Sequence, residues 1–287
     1  MSEKAMYLWD EGDERYDGTF MTKMYNYNGT WSTTGYFAYY NATAANLEAM
    51  PYGYRYFPAY TTEAEAEAEF AAEIDKYTQG SYNNTIEAYI LSSPAVRYVF
   101  STDGTYTKSS LTFEELCSRV AGGTCVKKWD DKDALQETSS TNSYRDIVIF
   151  DLSEIYLVAA EAYLLAGDQS SALNYVNTVR TRAKAGTLSS FSAYDPLYST
   201  PSSFGDITAL DCILDERARE LYGQLDRWVT LRRTKQLVRY NVAFNQNIGS
   251  VSDMQNTYGE TKWYRPIPSD EISANTGISE EDQNAGY

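Results

Sequence analysis

Histidine is absent from all 287 residues. With it go the usual general base near neutral pH, the Ser-His and Cys-His nucleophile pairs and every imidazole metal ligand. Cysteine is scarce: Cys117, Cys125 and Cys212 are odd in number and fit no CxxC spacing, so no zinc or iron-sulfur site is expected. Cys117 and Cys125 read either as a disulfide pair or as two packed thiols, and a structural role is expected for all three. Positive charge is also short. The 24 Lys and Arg face 40 Asp and Glu, a net charge of −16 that repels phosphate backbones and anionic lipid and argues against nucleic-acid binding. No apolar run reaches the roughly 18 residues of a membrane span. Met1-Ser2-Glu3-Lys4 opens neither a signal peptide nor a lipid-attachment cysteine motif, so the chain reads as soluble.

Aromatic residues are plentiful instead: 27 Tyr and 5 Trp, with an aromatic share of 15%. Tyr25, Tyr27, Trp31, Tyr36, Tyr39, Tyr40, Tyr52, Tyr54 and Tyr56 crowd the first sixty residues among Asn, Gly, Ser and Thr, with no helical period. That mixture predicts an irregular surface segment. Aromatic faces stack on the C–H-rich faces of pyranose rings while short polar side chains bond the hydroxyls, so the segment suits a sugar site. Packing among the long loops is the competing reading for each ring.

Elsewhere the pattern is of helices between irregular stretches. Thr62 with Glu65 predicts a capped helix over 64–77 whose Glu-Ala run forms a solvated face. Asp103-Gly104 predicts a hairpin between 97–101 and 105–108. Thr112 with Glu115 caps a short helix through Val120, and 124–129 reads as a strand. Asp151 with Glu154 predicts a capping box for a helix whose inner face is Ile155, Val158, Ala159, Ala162 and Leu165, ended at Gly167-Asp168. A second helix from Ser170 or Ser171 turns Leu173, Val176 and Val179 inward. The close pair suggests one tetratricopeptide-like unit. Thr208 with Asp211 caps a third helix with a stripe of Leu210, Ile213, Leu214, Ala218 and Leu221, broken at Gly223 before a helix over 226–238.

The order of these motifs resembles the SusD/RagB family. The resemblance rests on Glu216-Arg217-Ala218-Arg219-Glu220-Leu221-Tyr222-Gly223, then Arg265-Pro266-Ile267-Pro268-Ser269-Asp270-Glu271-Ile272, and a terminal Gln283-Asn284-Ala285-Gly286-Tyr287. Asp13-Glu14-Arg15-Tyr16-Asp17-Gly18-Thr19-Phe20, Val126-Lys127-Lys128-Trp129, and Tyr144 through Leu157 leading into Ala160-Glu161-Ala162 follow in the family's order. Two departures stand out. Gln224-Leu225-Asp226-Arg227-Trp228 replaces the usual Glu-Gly-x-Arg-Trp, and Ala285 occupies a usual proline position. The resemblance covers the C-terminal half of a usual member. On that view the helices that cover 155–165 and 173–179 are missing, and apolar surface is expected there.

The resemblance implies a mainly α, SusD-like fold of tetratricopeptide-like helix pairs with long irregular loops and a small β-hairpin. A single region is expected, divided into a Tyr-rich mixed part over 1–145, helices over 146–240 and an extended end over 241–287. It further implies a non-catalytic glycan-binding protein on the outer-membrane surface of a Bacteroidetes-type bacterium. Such a protein passes oligosaccharide to a SusC-like TonB-dependent transporter and touches the membrane only through a lipid anchor that this sequence lacks. No cofactor and no metal are expected. Local composition selects Trp31, Tyr36, Tyr39 and Tyr40 as glycan-binding candidates, then Tyr25, Tyr27 and Tyr54. Glu216, Arg217, Arg219, Glu220 and Arg227 read as a charged helix network. Two other classes compete: a protein-binding helical scaffold, and a glycoside hydrolase, which needs a carboxylate pair with one raised pKa.

Overall fold

A computed structural model of the chain describes residues 3–25, 52–79, 86–101, 103–118, 124–131, 144–224 and 226–287. Two compact units divide it, one formed by Glu3–Tyr198 with Thr208–Gly223 and the other by Ser199–Ile207 with Gln224–Tyr287. Ten α-helices and seven strands lie among the described residues, so the chain is mainly α with a small sheet component.

The first unit opens with the one-turn helices α1 (Glu3–Met6) and α2 (Arg15–Thr19). Strand β1 (Phe20–Met21) then pairs with β7 (Cys125–Val126), leaving only two residues of the expected 124–129 strand in a ladder. Turn formation takes the rest, with the Asp130 N–H donating to the Lys127 carbonyl. A five-stranded sheet follows in the order β2 (Lys23–Tyr25), β3 (Tyr52–Phe57), β4 (Ile86–Ile90), β5 (Ala95–Phe100), β6 (Tyr106–Leu111). The expected hairpin is present as β5 and β6, with Gly104 at φ 82° in the turn, but it is the edge of this larger sheet. Tyr52, Tyr54, Tyr56 and Phe57 therefore belong to a strand rather than to an irregular segment. The Tyr-x-Tyr-x-Tyr alternation of 52–56 carries that period of two.

Strands β3 and β4 are parallel, which requires a crossover, and α3 (Glu63–Gln79) supplies it. Its Ala66 and Phe70 pack with Phe57, Ile86, Ala88, Ile90, Val96, Tyr98 and Phe100 on one sheet face. The Glu-Ala run is only partly solvated. Glu65 caps the helix by bonding the Thr62 N–H, whereas Glu69 pairs with Arg55 at 2.8 Å and Glu67 accepts from the Tyr98 hydroxyl at 3.2 Å. On the opposite face, Met6 and Leu116 of α4 (Phe113–Ser118) cover Tyr56, Tyr89, Leu91, Ala95 and Leu111. Thr112 and Glu115 cap α4 reciprocally, as their spacing predicts.

Helices α5 (Leu152–Leu165) and α6 (Gln169–Arg182) form the expected hairpin, with Gly167 at φ 85° in the turn. Asp168, rather than a serine, caps α6 by accepting from the Ser171 N–H at 3.0 Å. Asp151 makes no side-chain cap, and Glu154 lies 3.2 Å from Arg217 instead of reaching back to the helix start. The buried face of α5 is Leu157, Ala160 and Glu161, not the one that runs through Ile155, Val158 and Leu165. Apolar residues occur all round this helix, so periodicity alone does not select the inner face. Leu157 and Ala160 meet Val176 and Val179 of α6 and Ile213 of α7 (Ala209–Glu220), whose Thr208–Asp211 capping box is complete. Burying a leucine such as Leu157 contributes about 1.5–3 kcal/mol.

In the second unit α8 (Arg227–Arg233) and α9 (Leu237–Phe244) replace the single helix expected over 226–238, because Lys235 takes φ 61°. Phe204, Tyr240 and Phe244 form an aromatic cluster there, and the Arg239 guanidinium lies 3.7 Å from the Phe204 ring centroid. Beyond the short α10 (Ser269–Ala274), the terminal motif turns back on Pro266-Ile267-Pro268. Ile267 carries the only N–H in that tripeptide, since proline has none. Gln283 satisfies both sides of Ile267, accepting from its N–H at 2.7 Å and donating to its carbonyl at 2.9 Å. Asn284 donates to the Arg265 carbonyl at 2.8 Å.

Candidate functional site

Charge is concentrated where α7 is most deeply buried. Asp211, Asp215, Glu216, Arg217, Arg219 and Glu220 are all inside. Each needs a partner, since an isolated ion in the interior is costly. The Glu216 carboxylate receives Arg15 at 2.7 Å on one oxygen, with Arg219 at 2.8 Å and Arg180 at 3.1 Å on the other. Glu220 takes Arg182 at 2.6 Å and Arg15 at 3.1 Å. Arg15 is itself gripped by Asp13, and Arg180 reaches Asp10 at 2.7 Å. Asp215 holds Lys4 at 2.7 Å and accepts from the hydroxyls of Tyr194 and Tyr198. Arg219 donates to the Leu8 carbonyl.

This lattice fastens the 4–15 segment to α6 and α7. Burial pushes the Glu216 carboxyl up, but Arg219, Arg15 and Arg180 outweigh it and hold the group below the usual carboxylate range. A group so held is the reverse of the proton-bearing acid that glycoside hydrolysis requires. Glu216, Arg217, Arg219 and Glu220 thus form the charged network expected of them. Arg227 sits in α8 with its guanidinium 5.0 Å from the Tyr240 ring centroid.

Of the aromatics selected from composition, Tyr27, Trp31, Tyr36, Tyr39 and Tyr40 lie outside the described residues. Tyr25 ends β2 as the register partner of Tyr52. Tyr54 is half-buried on β3, its ring stacked on Tyr56 at 6.5 Å and 12°, and Tyr56 stacks on Tyr89 at 5.4 Å and 14°. Beside this ladder lies a pair that composition did not single out. Arg97 grips Glu87 through Nη2 at 2.9 Å and Nε at 3.1 Å, and the Tyr89 hydroxyl donates to the same carboxylate. Burial first, and Glu87 next, raise the Tyr54 hydroxyl pKa while Arg97 opposes them, so the three side chains sense one another. The alternations Glu87-x-Tyr89 and Arg97-x-Val99 were the signal available: in strands they place each pair on one face.

A third feature is apolar. Segment 144–150 is exposed throughout, with Ile147 86% and Ile149 80% accessible, and Phe150, Leu152, Ile155, Val158 and Leu165 continue the exposure along α5. The expectation of uncovered apolar surface holds for 155–165. It fails for Val176 and Val179, which pack against α5 and α7.

Cys117 and Cys125 are free and exposed, and only Cys212 is a packed thiol, its pKa pushed up to about 12 by burial. Among the described residues no group of three or more His, Cys, Asp or Glu could hold a metal ion, and no helix is long and apolar enough to cross a membrane.

These features define the class: a mainly helical scaffold whose central charges pair with one another, carrying a small sheet with an aromatic and polar row on one face. The sequence model of the SusD family matches residues 1–287, and the chain belongs to that family. No curated protein and no solved structure matches it.

Proposed function

We propose that the protein binds oligo- or polysaccharide without breaking it, at the outer-membrane surface, and delivers it to a SusC-like TonB-dependent transporter. The observation that carries this reading is the match of the whole chain to the SusD family. It is supported by central carboxylates tied into ion pairs and by the aromatic-rich sequence between β2 and β3. In this reading α5 and α6 are a tetratricopeptide-like pair within one 1–287 region. Trp31, Tyr36, Tyr39 and Tyr40, then Tyr25, Tyr27 and Tyr54, supply stacking surfaces. Isothermal titration of the purified chain against a glycan panel tests it. Saturable binding is expected, weakened by Trp31→Ala and Tyr39→Ala; unchanged binding in both variants removes those residues from the site.

The exposed 147–165 face favours a second reading beside the first, a helical scaffold for a protein partner, chiefly the transporter. Contiguous apolar surface of this kind marks interaction sites. Co-purification with the SusC-like transporter, lost in Ile155→Ser with Leu165→Ser, is the expected outcome. Co-purification that survives both substitutions places the partner elsewhere.

A further inference from the structure

On the sheet face opposite α3, Met6 and Leu116 cover the rings of Tyr56 and Tyr89, and the next row of residues lies beyond them. One register step beyond the covered rings, Tyr54, Glu87, Val99 and Thr107 form a row across β3 to β6. Arg97 and Ser109, partners in the adjoining row, flank it. Tyr54, Glu87, Arg97 and Val99 are half-buried, while Thr107 and Ser109 are exposed. Strands lie about 4.8 Å apart, so the row extends for about 14 Å, long enough for several sugar rings.

The chemistry changes in order along it. Tyr54 is the outer member of a three-ring ladder, so its ring plane is set before any ligand arrives. Next comes an ion pair whose geometry is fixed by two guanidinium bonds and one phenol bond. Arg97 directs two of its five N–H donors at Glu87. The hydroxyls of Thr107 and Ser109 follow. An apolar platform, a charged donor and acceptor side by side, and two hydroxyls are the parts that recognise a polyhydroxylated ring. The pair sums to zero charge, and a chain at −16 disfavours an anionic ligand.

We propose that Tyr54, Glu87, Arg97, Val99, Thr107 and Ser109 form a subsite for a neutral oligosaccharide, one ring stacked on Tyr54 and the next hydrogen-bonded by Glu87 and Arg97. This rests on the glycan-binding reading and specifies where and what class of glycan. The test is titration of the full chain with neutral hexasaccharides of glucose, mannose and xylose, at about 50 and 500 mM salt. The expected result is binding by at least one, insensitive to salt, weakened roughly tenfold or more by Tyr54→Ala and by Glu87→Gln, and restored within about threefold by Tyr54→Phe. Tyr258→Ala, at an 88% exposed tyrosine in the other unit, leaves it unchanged. Melting curves identify variants that fail to fold, and Ser109→Lys, which crowds the row from an exposed position, then replaces them with the same expected loss. If a hexasaccharide binds but Tyr54→Ala and Ser109→Lys bind it equally well, the subsite is wrong while the glycan reading stands. If no neutral hexasaccharide binds but an anionic one, a hexagalacturonate titrated alongside them, binds at about 50 mM salt and not at about 500 mM, the neutral class is wrong while the glycan reading stands. If none binds, subsite and reading fall together.

Discussion

Helices α5 and α7 reverse the usual placement of residues in opposite senses. Helix α7 buries six charged side chains, and α5 leaves Leu152, Ile155, Val158 and Leu165 in water. The cause differs in each. Charges on α7 are answered from four directions, by 4–15, by α5, by α6 and by each other, so pairing offsets the desolvation that their burial costs. Apolar residues on the outer side of α5 are exposed, because α6 and α7 pack against the side that holds Leu157 and Ala160. A signature of alternating Arg and Glu therefore marks scaffold in this chain, and an apolar stripe marks available surface, although either pattern alone invites the opposite interpretation.

The sharpest way to break that contrast is to remove its central anion. Glu216→Ala leaves Arg15, Arg180 and Arg219 converging without a carboxylate, and a loss of about 3–5 kcal/mol is expected in urea unfolding. A loss under about 1 kcal/mol would mean the lattice does not hold the segment 4–15. The two sides of α5 provide the next comparison. Leu157→Ala should cost about 2–5 kcal/mol by opening a cavity, whereas Leu165→Ala, at a side chain 77% accessible, should stay within about 0.5 kcal/mol. Equal costs would show that something covers the outer face.

Acid sharpens the same contrast without mutation. Glu216 titrates lower in the folded protein than its ordinary 4.5, so the unfolded chain takes up that proton first as pH falls. Stability is then fully present above about 4.5 and is lost progressively below it, through the folded value. A melting temperature that stays flat from about pH 5 to pH 3 would contradict the pairing. The smallest effect belongs to the second unit. Gln283→Ala strips both bonds from Ile267 and should cost about 1 kcal/mol, read as a lower melting temperature with no change in the acid response.

Local chemistry was legible in the residues wherever a few neighbours decide it. Thr62 with Glu65, Thr112 with Glu115 and Thr208 with Asp211 cap as their spacing indicates, and Asp103-Gly104 turns the hairpin. What failed depends on distant partners. Asp151 with Glu154 has the same spacing, yet Glu154 pairs with Arg217, some sixty residues on. The inner face of α5 could not be chosen because apolar side chains surround it. For the candidate site, composition led to Tyr54 but not to Glu87 or Arg97, which become its neighbours only through parallel pairing of β3 with β4 and antiparallel pairing of β4 with β5.

The central claim is that this scaffold binds glycan and leaves it intact. Titration of the full chain with neutral hexasaccharides, followed by assay of the same samples for new reducing ends, tests it most directly. Saturable heat with no new reducing ends is the expected result. Silence across the panel, or reducing ends that accumulate with time, would contradict it.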